Sequence, residues 1–127
     1  MATREIVRSG RPPRDLPLSP AVKSGGLVYT SGMLGTDPET GRLVEGGIGP
    51  QTRQALENLE RTLEAGGSGL DKVVKATVFI TDTANFQGMN EVYRQYFPVD
   101  PPARSTVRCD LVLPGALVEI ELVAVAG

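Results

Sequence analysis

The chain contains no histidine and only one cysteine among its 127 residues. The first absence removes every Ser-His-Asp or Cys-His relay and every His-ligated zinc or haem. A single Cys neither closes an intrachain disulfide nor builds a multi-thiolate metal site. A positive surplus is missing too. With 13 Lys+Arg against 15 Asp+Glu the net charge is −2, so nothing drives counterion release and no nucleic acid is expected as partner. No stretch reaches the ~20 apolar residues of a membrane helix. Met1 to Asp15 is rich in Arg and lacks the apolar run of a signal peptide. The expectation is a cytoplasmic chain with no membrane partner, whose chemistry uses carboxylates, Arg, Lys, hydroxyls or the lone thiol.

What is present suits one domain over residues 1–127: 40% hydrophobic residues, 22% charged residues and 15 glycines are ordinary for a globular protein of this length. Glu5 to Arg8 reads as a short first strand, and the Pro-rich stretch Arg11 to Pro20 as an irregular connector. Leu27 to Ser31 is strand-like between Gly26 and Gly32. Thr36 to Gly41 suits a hairpin reversal into Arg42-Leu43-Val44. From Ile48 the period becomes helical: Ile48, Ala55, Leu56, Leu59 and Leu63 share a face, which predicts a helix over Pro50 to Ala65, stopped by Gly66-Gly67. A strand follows over Val73 to Ile80. Asp82-Thr83 then caps a helix whose Phe86, Met89, Tyr93 and Phe97 share a face, and Pro98 ends it. Strands over Ala103 to Val112 and Val118 to Ala126, turned at Pro114-Gly115, close the chain. The order β-β-β-α-β-α-β-β predicts an α/β (α+β) sandwich. Val73 to Ile80 and Leu117 to Val125 are apolar in both phases, as strands covered on both faces are. Two helices cover one face of such a sheet; the other is expected to pack on another subunit.

Polar residues in these strands are the candidate site. Arg104 is either a fork for a carboxylate or phosphate, or a solvated strand arginine. Glu119 and Glu121 share a strand face; enclosed, Glu119 has a raised pKa and can act as a general base, and otherwise it lies on an exposed edge face. Ser31 either lines a pocket or bonds a turn. Asn90, in mid-helix where Asn is mildly unfavourable, either serves a site or faces solvent. Cys109 is in phase with Ala103, Ser105 and Val107, which predicts a buried structural thiol on the face opposite Arg104. Gly66-Gly67-Ser68-Gly69 follows a helix and opens a strand, the reverse of a phosphate loop, and reads as a connector. The six Tyr and Phe show no strand-spaced stacking pair of the RNA-binding kind.

Pro102-Ala103-Arg104-Ser105 with Val118-Glu119-Ile120-Glu121 resembles the RidA family, also called YjgF/YER057c/UK114 or endoribonuclease L-PSP proteins. So do Tyr29-Thr30-Ser31-Gly32, Gln54 to Leu59, Val74 to Asp82, and Asn90-Glu91-Val92-Tyr93 through Tyr96-Phe97, in order from about Pro20. The resemblance implies a chorismate-mutase-like domain, with a mixed sheet and two helices packed on one face, and a homotrimer with sites between subunits. It implies neither metal nor cofactor. Its activity would be hydrolysis of 2-aminoacrylate and related 2-imino acids to 2-keto acids and ammonia. Arg104 then matches the residue holding the substrate carboxylate, and Glu119 the one that positions or activates water. Ser31, Asn90 and Thr106 match residues lining the cleft. Thr106 stands where archetypal members have Cys, and Ala21 where many have Tyr; the connection from Pro98 to Pro101 is short. The alternatives are a non-catalytic keto-acid binder using the same cleft and, disfavoured by the missing His and basic surplus, a ribonuclease.

Overall fold

In the computed structural model, which describes residues 3–9 and 16–127, one mixed sheet carries the molecule. Its strands are β1 (Glu5–Val7), β2 (Ala21–Ser24), β3 (Leu27–Thr30), β4 (Met33–Leu34), β5 (Val73–Ile80), β6 (Ala103–Arg108) and β7 (Val118–Val125). They lie in the order β1-β2-β3-β7-β5-β6, with β4 also paired to β7. Only β5 and β6 run parallel, as expected of strands joined by a helical crossover. The helices α1 (Ile48–Ala65) and α2 (Phe86–Tyr96) pack side by side on one face.

Alternation along β7 explains the layering. Val118, Ile120, Leu122 and Ala124 are buried under the helices with Leu56, Leu59 and Leu63 of α1 and Met89 of α2. The opposite phase, Glu119 to Val125, faces away from the helices, and Glu121 and Val125 there are exposed. α1 ends as its glycines foretell: the Ser68 N–H reaches the Leu63 carbonyl at 2.8 Å and the Gly67 N–H the Glu64 carbonyl at 3.0 Å, with Gly67 at φ +78°. That paired closure demands a left-handed residue, which Gly supplies at least cost.

Several boundaries differ from the sequence expectations. β2 and β4 are additional strands; both are short and take their conformation from pairing with β3 and β7. Arg42-Leu43-Val44 is not a strand, because the reversal after Thr36 makes only the bridge Thr36–Leu43. Asp82 caps a short 3₁₀ turn, Thr83–Asn85, by accepting from the Ala84 N–H at 2.9 Å, and α2 begins beyond it. β6 ends at Arg108 rather than Val112, where β5 runs out of partners at Ile80. Of the Pro-rich connector, 11–15 lies outside the described residues.

Candidate functional site

A break in the ladder beside β7 makes the first half of the candidate site. β3 pairs with β7 through Leu27, Val28 and Tyr29, and β4 resumes the pairing at Met33. Between them the buried Thr30 hydroxyl accepts the Leu122 N–H at 2.9 Å, in place of a backbone carbonyl, and leaves Ser31-Gly32 free to bend. Glu119 fills the space above the bend. Its carboxylate lies against Gly32: a Cβ built there would stand 2.9 Å from Glu119 Cδ. Burial raises the Glu119 pKa above the ordinary glutamate range, and the negative charge of Glu121 adds to the rise. The start of β7 is held from below by Gln51, which sequence reasoning did not single out. Its side chain accepts the Leu117 N–H at 2.9 Å and donates to the Gly115 carbonyl at 3.2 Å. Ser31 donates its hydroxyl to the Ser19 carbonyl and, with Tyr29 and Leu18, lines a groove of about 620 Å³.

The second half surrounds Arg104 on the edge strand β6. Alternation turns Arg104 and Thr106 toward α2, both half-buried, while Ala103, Ser105 and Val107 are exposed on the face without helices. The guanidinium Cζ lies 4.7 Å from the centroid of the Tyr93 ring and 5.8 Å from that of Phe86, and Nη1 is 3.9 Å from Met89 Sδ. No carboxylate among the described residues pairs with it. A cation seated on aromatic faces keeps its N–H fork available for an anion. Asn90, Tyr93 and Arg104, with Phe97 and Pro98, Pro101 and Pro102, line a cleft of about 620 Å³. In its short rim loop Asp100 takes φ +46°, a conformation Asp tolerates better than most residues.

Arg104 and Asn90 therefore come together, with Thr106 on the same face; Glu119 and Ser31 belong to the other half. The sequence groups Arg104 and Glu119 as strand residues of one candidate site, but the chain does not place them on neighbouring strands. β5 separates β6 from β7, with Ala76 opposite Arg104 and Phe79 opposite Glu119. Three residues of offset is about 10 Å along the strand and reverses the face. Cys109 is also corrected: it is exposed, because it follows the end of β6 on the phase that no helix covers. Among the described residues no three Cys, Asp or Glu side chains come together as metal ligands, and no helix is long and apolar enough to cross a membrane.

Comparison with known proteins adds four matches. Residues 9–126 match the family model described as Endoribonuclease L-PSP. A bovine protein named 2-iminobutanoate/2-iminopropanoate deaminase is 41% identical over 98% of this chain and 91% of its own length. Among solved structures, RidA from the Antarctic bacterium Psychrobacter superposes with a TM-score of 0.88 at 38% identity, covering 95% of this chain and 98% of that one. E. coli TdcF with bound serine does so with a TM-score of 0.88 at 34% identity, covering 97% and 99%.

Proposed function

The chain belongs to the Endoribonuclease L-PSP family, and we propose that it is a hydrolytic deaminase converting small 2-imino acids and their enamine tautomers to 2-keto acids and ammonia. The observation that carries this assignment is the disposition of two groups: a guanidinium at a sheet edge that no carboxylate among the described residues pairs, and a half-buried carboxylate of raised pKa on the opposite face of the same sheet. The name of the bovine relative and the serine held by TdcF point to ligands of the same small-acid class.

Arg104 forks two N–H donors onto the substrate carboxylate. Glu119 accepts a proton from water as the water oxygen bonds to the imine carbon and passes it to the imine nitrogen, giving a carbinolamine; the same carboxylate then takes the hydroxyl proton and delivers it to nitrogen as the C–N bond breaks, leaving the 2-keto acid and ammonia. An imine carbon is already electrophilic, so orientation and one base with a pKa moved toward neutrality suffice. Because one chain holds the two groups on opposite faces, the complete site requires a second copy, and the assembly we assign is a homotrimer with its sites between subunits. Asn90 and Thr106 line the Arg104 side of each site and Ser31 the Glu119 side.

The test generates 2-iminobutanoate in situ with a threonine dehydratase and follows keto-acid release in a competing amine buffer. Acceleration by the wild type and its loss in Arg104→Ala are expected. Saturable 2-ketobutyrate binding without acceleration would replace the enzyme by a binding protein using the same cleft.

A further inference from the structure

Resting on the assignment of Arg104 as the acid-binding group, we infer that Tyr93 is the residue that positions it: the ring is the floor on which the guanidinium lies, and the hydroxyl accepts a guanidinium N–H when an acid is bound. Tyr93 is 5% exposed, and its ring is fixed by Phe97, centroid to centroid 4.7 Å at 37°. Its hydroxyl is buried yet has no hydrogen-bond partner among the described residues. The fold gains nothing from that oxygen. Phenylalanine would cover the same apolar area without desolvating a polar group, so the hydroxyl is a cost to stability that packing does not explain.

The neighbour that could use it is Arg104. A guanidinium carries five donors in one plane, and a bidentate carboxylate takes two. At Arg104 the described residues otherwise supply only the ring faces and the weak thioether acceptor of Met89. The two groups already sense each other: burial raises the Tyr93 pKa, and the charge and N–H groups of Arg104 pull it back. A fork anchored from behind by ring and hydroxyl presents its free edge to the cleft that Asn90 and Arg104 share.

The experiment compares wild type, Tyr93→Phe, Tyr93→Leu and Arg104→Ala as full chains, measuring the Kd of 2-ketobutyrate, KM and kcat on in situ 2-iminobutanoate, and Tm. Tyr93→Phe is expected to have an equal or higher Tm while its Kd and KM rise about 5-fold, the worth of one hydrogen bond, with kcat within about twofold. Tyr93→Leu, losing the floor as well, weakens binding further, so Phe gives partial rescue. A role in folding alone would lower Tm and leave Kd of the folded protein unchanged. Wild-type affinity in Tyr93→Phe beside lost binding in Arg104→Ala overturns the role of Tyr93 and leaves the assignment of Arg104 standing. Unchanged binding in Arg104→Ala overturns both.

Discussion

The Glu119 carboxylate rests on the bare Cα of Gly32, in the break between β3 and β4, which pair in succession along one side of β7. The glycine there serves clearance and not backbone freedom, since its φ lies outside the left-handed region. Gly32→Ala is therefore expected to fold, with Tm within a few degrees of wild type. The added methyl pushes aside the flexible end of Glu119 and misplaces the base, lowering kcat about 10-fold or more. A Gly32→Ala enzyme of wild-type kcat would contradict this seat for Glu119.

Glu121 is exposed on the same sheet face as Glu119, and its charge contributes to the raised Glu119 pKa after burial itself. As a base, Glu119 works ionised, so activity rises with pH through its pKa. Removing the neighbouring charge in Glu121→Gln is expected to move the acidic limb of kcat toward lower pH. The displacement should shrink as salt is added, because exposed charges are screened. An unmoved limb would mean that Glu119 is not the group titrating there.

The same shift has a consequence for stability. Folding holds the Glu119 carboxyl above its unfolded pKa, so the native state binds the proton more tightly. Stability linked to this group is full below the ordinary glutamate pKa of about 4.3 and is lost as pH rises through the raised native value. Glu119→Gln is accordingly expected to be inactive but more stable than wild type at pH 8, with the difference closing as pH falls to about 4. Thermal denaturation of both proteins at the two pH values measures it.

Long periodic segments made most of the fold legible in the sequence. Val73–Ile80, the helical run ending before Gly66-Gly67 and the last strand stand in the structure with those residues at or near their ends. β2 and β4 were not legible, since Ala21–Ser24 and Met33–Leu34 have no pattern of their own and exist through their partners. The facing of β6 was misread for a related reason. In Ala103–Arg108 the small and apolar residues Ala103, Ser105 and Val107 look like the inner phase. The structure buries the phase of Arg104 instead, because the rings of Phe86 and Tyr93 accept a guanidinium against their faces. Motif resemblance singled out Arg104 and Glu119 but not their seats, Tyr93 and Gly32. One looked like a core aromatic and the other like a strand stop.

Subunit complementation tests the claim that each site takes Arg104 from one chain and Glu119 from another. Arg104→Ala and Glu119→Gln chains, each inactive alone, are unfolded together and refolded as a mixture, and deamination of in situ 2-iminobutanoate is measured. In a randomly mixed ring about a quarter of the interfaces pair an intact Arg104 with an intact Glu119, so activity near a quarter of wild type is expected. A mixture that forms hybrid oligomers and stays inactive would contradict the claim.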